Sequence, residues 1–412
     1  MYIIPGYVKY SKSGRNTKVF SQLLQNEVVL TEEKYQKEFS CLMENGCEIL
    51  DSPLKKFLNE QEMLITKDKI DQGINEAKTL MDDNLLLTII PTEACNFSCQ
   101  YCYERKTPVV MSSVQIEHIK TFLLNNIEKY KLICLSWFGG EPTLCLNTII
   151  EITSFIQKLK KVHGFSFRGQ MTTNGYLLSK DIFVKLYDVG ITEYQVTLDG
   201  WNHDTTRPLI NGGKTLKTIV DNLNSIAELP VEYNYQFLIR YNYLAHDKDY
   251  SSWYHYLKDN FGNNNRFRFT SCPVCDWGGD SVKKMDLVNK ESISKSVDLH
   301  EKSIKEAGLL LEELSNEPFA HICTASFKNG YVFSANGNIE KCTIALGNPL
   351  NVVGKIDPIN GIIIDETQNR KWYSSRLKDE CYKCSDLLSC LNLCCMKKII
   401  IDGEKDTKCF SE

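Results

Sequence analysis

Residues 84–104 read NLLLTIIPTEACNFSCQYCYE, a short β-rich run that breaks at Pro91 and passes directly into cysteines at 95, 99 and 102. Offsets of four and three would set the thiols on one face of a helix, so a buried cysteine stripe is the plain alternative. Pro91, Asn96 and Ser98 oppose it: proline lacks an amide donor, and Asn and Ser side chains compete for backbone hydrogen bonds. The segment reads as a loop leaving the end of a strand. Three thiolates this close suit one polynuclear iron–sulfur cluster, whereas structural zinc needs a fourth ligand that is not nearby.

Working outward, β-rich runs recur at LICLSWF (132–138), RGQMTT (168–173), EYQVTL (193–198), YNYQFLIRY (233–241) and RFRFT (266–270). Amphipathic stretches fill most of the intervals. In IEITSFIQKLKKVHG (150–164), Ile152, Phe155, Ile156, Leu159 and Val162 share one face and Gly164 is a stop. SKDIFVKLYDVG (179–190) starts at Ser179 as N-cap and ends at Gly190. Six strand-helix repeats predict an α/β fold, a parallel sheet curved into a partial (β/α)6 TIM-like barrel over 84–310. Ligand chemistry collects at the carboxyl ends of such strands, where the cysteine loop begins.

Residues 1–83 carry only isolated Cys41 and Cys47, and run from extended segments into three helical patterns, a small α+β unit. Residues 311–412 break the alternation. FKNGYVFSANGNIEKC (327–342) places Asn336-Gly337 between two short strands as a hairpin turn. Cys323 and Cys342 follow with Gly337 between them, then Cys381, Cys384, Cys390 and Cys394, then Cys409. The four-cysteine run would arise by composition about once in a thousand such chains, so its spacing carries information.

The 17 cysteines against seven histidines favour thiolate-only metal sites over mixed zinc sites. A formal charge of −4 gives no electrostatic case for nucleic acid or an anionic membrane. No apolar run approaches the roughly 20 residues needed to span a bilayer, and the first residues lack signal-peptide order, so a cytoplasmic protein is expected.

CxxxCxxC with Tyr101 before its last cysteine, set after the first strand of a βα series, resembles the radical S-adenosylmethionine (SAM) superfamily. Gly139-Gly140-Glu141-Pro142, Thr173-Asn174-Gly175, and Thr197-Leu198-Asp199-Gly200 with His203-Asp204 and Arg207 match the resemblance in order after strands two, three and four. It implies that Cys95, Cys99 and Cys102 hold three irons of a 4Fe-4S cluster whose fourth iron takes the amino and carboxylate groups of SAM. Gly139, Gly140 and Glu141 would meet the methionine part, glycine allowing close backbone approach and Glu141 accepting from the ammonium. Asn174, Thr197, Asp199 and Arg207 would lie at ribose and carboxylate contacts.

The tail resembles the SPASM auxiliary-cluster extension of peptide-modifying radical SAM enzymes. The resemblance implies Cys381, Cys384, Cys390 and Cys409 on one auxiliary 4Fe-4S cluster, and Cys323, Cys342 and Cys394 on another. Some relatives have a further cysteine just before the position of Cys323, where this chain has EPFAHI (317–322). Either Cys272 or Cys275, from CPVC, supplies that ligand, or one iron is open to a substrate thiolate. A zinc ribbon is the competing reading of the tail.

The front unit resembles the winged-helix leader-recognition domain of enzymes that mature ribosomally made peptides, carried by PLKKFLNEQEMLITKDKID (53–71). That implies a precursor peptide captured along a sheet edge, a flavodoxin or ferredoxin as reductant, and thioether or other cross-link formation. Sulfatase maturation is the runner-up, but its enzymes carry Asp after the cysteine matching Cys342, where this chain has Thr343. A non-catalytic iron–sulfur or zinc scaffold is the alternative of another class. No acid or base stands out in the sequence.

Overall fold

The computed structural model describes residues 1–80, 82–104, 106–278, 281–312, 323–373 and 379–384. Cys390, Cys394 and Cys409 lie outside them. The chain divides into two compact units, one of 1–82, 314–328 and 366–412, the other of 83–313 and 329–365.

In the first unit, β1 (Tyr2–Ile3) pairs antiparallel with β5 (Ile65–Thr66). β2 (Val8–Ser13), β3 (Asn16–Ser21) and β4 (Asn26–Leu30) form an antiparallel sheet in that order. Helices α1 (Glu33–Asn45), α2 (Pro53–Glu60) and α3 (Lys67–Leu80) complete it. α2 starts where it does because Pro53 suits the first helical turn and the Ser52 hydroxyl accepts from the Lys55 amide at 3.1 Å. Phe39, Leu42, Leu54, Leu58, Met63 and Leu64 are buried in it.

The second unit carries the parallel strands β6 (Asn84–Ile90), β7 (Leu132–Trp137), β8 (Ser166–Thr173), β9 (Ile191–Thr197), β10 (Gln236–Tyr243) and β11 (Phe267–Pro273). They lie side by side in chain order. The crossovers carry α4 (Ser113–Asn126), α5 (Leu146–His163), α6 (Lys180–Asp188), one-turn α7 (His203–Thr206), α8 (Leu216–Ala227) and α9 (Tyr250–Phe261); α10 (Ile293–Glu306) follows β11. This is the α/β barrel-like core that the alternation predicts. Ser179 caps α6 as expected, accepting from Ile182, but the helix stops at Asp188, two residues before Gly190. α5 ends at left-handed Gly164. Val162 is 78% exposed, so the apolar stripe of α5 stops a turn earlier than its sequence pattern suggests.

Residues 329–365 continue the same sheet. β12 (Gly330–Ser334) pairs parallel with β6, and β13 (Asn338–Glu340), β14 (Val352–Asp357) and β15 (Gly361–Ile364) follow antiparallel. The Asn336-Gly337 turn joins β12 to β13, with Gly337 at φ 88°. α11 (Glu366–Tyr373) returns to the first unit, where Asn369 donates to the Lys328 carbonyl at 3.2 Å. No helix among the described residues is long and apolar enough to cross a membrane.

The strands have two unlike faces. Ile133, Leu135 and Trp137 are buried, and Trp137 donates to Thr153 on α5 at 3.2 Å, so this face packs on the helices. The opposite face is polar and half-buried: Ser136 donates to Gln170 at 3.0 Å, Gln170 to Glu193 at 2.9 Å, and Arg168 grips Glu193 through two bonds of 2.6 Å. A period of two therefore puts hydrocarbon outside and hydrogen-bonding groups on the inner surface.

Candidate active site

Between β6 and α4 the described residues make no helix, and Cys95, Cys99 and Cys102 stand half-buried in irregular backbone, none in a disulfide. Their loop is sewn to the segment after β9: Ser98 donates to the Pro208 carbonyl at 2.8 Å, Gln100 to Thr206 at 2.9 Å, and Ile210 to Asn96 at 3.0 Å. Phe97 is fully buried beneath it. The Phe97 amide points at the Cys95 sulfur at 3.4 Å, yet burial pushes that thiol up to about 12. Burial raises Cys102 as well.

The turn after β7 explains its glycines. A Cβ on Gly140 would sit 2.2 Å from the Ala94 carbonyl oxygen, and one on Gly139, at φ 107°, 2.4 Å from Ile90 and 2.9 Å from the Thr92 oxygen. The close approach is thus to the cysteine loop itself. Glu141 is fully buried and accepts from the Thr143 amide and hydroxyl at 3.0 and 2.6 Å, the Thr173 hydroxyl at 2.6 Å and the Asn174 amide at 2.7 Å. Burial still pushes its pKa up. Its own amide donates to Ala94 at 2.9 Å, and Asn174 donates to the Asn96 side chain at 2.7 Å. Glu141 and Asn174 therefore lock three strand ends around the cysteines, and the Glu141 oxygens are engaged by protein donors.

A second knot lies over β9 and β10. Tyr101 donates to the Asp199 carboxylate, and receives bonds from Arg207 at 2.8 Å and Asn242 at 3.0 Å. Thr206 donates to the same Asp199 oxygen at 3.1 Å. Burial raises both Tyr101 and Asp199 above their ordinary values, with the Arg207 guanidinium opposing it at each. The Asp199 amide donates to His203 Nδ1 at 3.0 Å, and burial holds that imidazole neutral, its pKa lowered to about 3. Arg207 Nε and His203 Nε2 are buried without a hydrogen-bond partner. Thr197 is buried at the end of β9, opposite Arg240. Asp204 caps α8 instead, accepting from the Thr215 and Leu216 amides at 2.8 and 2.9 Å.

Asn242 and Glu104 escaped the sequence reading. Asn242 has only the two-residue period of β10 to mark it. The Glu104 carboxyl is raised to about 7 by burial and by Glu141 and Glu93, against Lys106. Cys272 pairs in register with Asn242 on β11, so it shares the inner strand face near Tyr101, while Cys275 lies beyond the strand. Cys342 is buried in the second unit and is felt by Tyr103, whose phenol burial raises. Its backbone is clamped by Asn351, fully buried, which accepts from the Cys342 amide at 2.9 Å and donates to its carbonyl at 2.8 Å. Cys323, Cys381 and Cys384 belong to the first unit.

These residues fit the groups the motifs imply. Among the described residues no three His, Cys, Asp or Glu converge on one ion; cluster ligands bind separate irons and need no such point. The unpaired donors of Arg207 and His203 are what a polar ligand beside the loop would satisfy.

The family model described as Radical SAM superfamily matches residues 89–243. GTP 3′,8-cyclases of Staphylococcus haemolyticus and Haemophilus ducreyi are 27% and 30% identical, over 38% and 34% of this chain and 44% and 39% of theirs. The chain spans about half the length, or less, of the curated relatives it first matches. The Streptococcus suis protein SuiB bound to precursor peptide SuiA has a similar fold over 98% of both chains, with TM-score 0.57 and 14% identity. anSMEcpe with bound AdoMet and Kp18Cys peptide is similar over 74% of this chain and 88% of its own, with TM-score 0.57 and 17% identity. The cysteine loop, the turns that lock it and the Tyr101–Asp199–Arg207 knot all fall within residues 89–243, the stretch that matches the radical SAM superfamily model.

Proposed function

We propose that the chain is a radical SAM peptide maturase that takes hydrogen from a ribosomally made precursor peptide and installs a thioether or other cross-link. The observation that carries it is extent: the likeness to a precursor-bound protein runs over 98% of both chains, whereas the cyclase matches cover between 30% and 65% of this one. Cys95, Cys99 and Cys102 would hold the cluster, and Asp199, Arg207, Asn174 and Thr197 would line the cofactor. Once bound, cluster and cofactor supply a radical able to take hydrogen from an unactivated carbon.

The chain's own residues do the positioning. Glu141 and Asn174 fix the loop, Asp199 and Arg207 hold Tyr101, and the half-buried polar face of β7 to β10 offers hydrogen bonds to a peptide. Cys323, Cys342, Cys381, Cys384, Cys390, Cys394 and Cys409 would carry two auxiliary 4Fe-4S clusters, with Cys272 or Cys275 as the further ligand or one iron open to substrate. The front sheet β2-β3-β4 has outer edges at which an extended leader would add. A flavodoxin or ferredoxin would supply electrons.

Mass spectrometry of a small peptide encoded beside this protein, after anaerobic reaction with SAM and reductant, tests the reading. Loss of two hydrogens per cross-link is expected. An unmodified peptide together with turnover of GTP would overturn it.

A further inference from the structure

The first unit has a feature that peptide capture does not use. Six described residues near the end of the chain, 379–384, are seated on its N-terminal portion. Gly6 donates to the Tyr382 carbonyl at 2.9 Å, and a Cβ on Gly6 would lie 1.7 Å from the Cys384 oxygen, 2.2 Å from its carbonyl carbon and 2.7 Å from its amide nitrogen. Only glycine lets these backbones meet. The Tyr382 hydroxyl lies 2.8 Å from both carboxylate oxygens of Asp71 on α3. Lys383 donates to the Met43 and Glu44 carbonyls at 3.2 and 2.7 Å, at the carboxyl end of α1, where helix carbonyls lack intrahelical donors. Lys67 pairs with Asp379 at 2.6 Å.

Residues 379–383 form a 3₁₀ turn, and the Cys384 amide donates to the Cys381 carbonyl at 3.1 Å. In that geometry side chains three apart eclipse, so Cys381 and Cys384 leave the turn on one side, as two ligands of one cluster must. Both residues between the two cysteines, Tyr382 and Lys383, are meanwhile held by the N-terminal portion, as are Asp379 and the Cys384 backbone.

We propose that the N-terminal portion, through Gly6, Asp71 and the end of α1, is the mould that positions Cys381 and Cys384 as ligands of an auxiliary iron–sulfur cluster. This rests on the reading of those cysteines as cluster ligands, and gives residues 1–80 a second task beside peptide capture. Gly6, Tyr382 and Lys383 are positioning residues; none contacts iron or substrate.

Iron and sulfide counting on the full chain after anaerobic reconstitution tests it. Wild type is expected to hold about twelve irons and Gly6→Ala about eight, with 5′-deoxyadenosine formation retained because the barrel cluster is untouched. The milder pair Tyr382→Phe with Lys383→Ala should release its auxiliary iron to a chelator several-fold faster than wild type, and decides the matter if Gly6→Ala does not fold. Twelve irons in Gly6→Ala, or chelation of the pair at the wild-type rate, would overturn the mould alone. About four irons in wild type would overturn the cluster reading, and the mould with it.

Discussion

Two cysteine segments in this protein are seated by the same device on very different stretches of chain. In the barrel unit, Gly140 abuts the Ala94 carbonyl, and glycine and partner lie in neighbouring strand-end turns. In the other unit, Gly6 abuts the Cys384 carbonyl, and the partners come from opposite ends of the sequence. In both, a missing side chain lets backbone pack against backbone carrying thiols. The lesson is that a cysteine motif supplies thiols, while their placement is imposed by whichever surface the fold brings beneath them.

The largest expected effect is on the barrel side. Cys95→Ala should abolish 5′-deoxyadenosine formation and lower bound iron by about four per chain; cofactor cleavage surviving in this variant would remove the loop from the chemistry. Because Gly140 serves the barrel loop alone, Gly140→Ala should mirror Gly6→Ala, losing the barrel cluster while keeping auxiliary iron. Its overpacking is expected to cost about 1–3 kcal/mol of stability in that unit. Equal iron loss from both sites in either glycine variant would break the comparison.

The smallest effect separates the units by pH. His300 on α10 is 3% exposed, accepts or donates at 2.7 Å with the Tyr254 hydroxyl, and stacks on Tyr243 at 3.8 Å. Burial lowers its pKa to about 4. The unfolded chain protonates first, so this contribution is whole above about pH 6.5 and is lost as pH falls towards 4, up to about 3 kcal/mol. The described residues of the first unit contain no histidine. Hydrogen exchange at α10 should therefore lose protection over that range in wild type but not in His300→Phe; equal loss in both would count against the assignment.

Much of the barrel was legible beforehand because its signals are local. NLLLTII is β6 to the residue, and Pro91, Asn96 and Ser98 marked the loop by backbone chemistry that acts within a few residues. The Asn336-Gly337 hairpin was readable for the same reason. Val162 misled because apolar periodicity marks a helix face without marking where the burial of that face stops.

The sequence by itself determined where the cysteine motifs lie, the order of strands and helices, and the turns where glycine is required. Only the tertiary structure decided that Glu141 holds protein amides and hydroxyls, that Asn242 completes the Tyr101 knot and that Asn351 clamps Cys342. It also joined Gly6 to Cys384 and continued the barrel sheet through β12. Apart from the Asn351 clamp, which reaches nine positions back, those facts depend on contacts between residues tens to hundreds of positions apart. Local propensity and spacing carry no information about which distant backbone will arrive there.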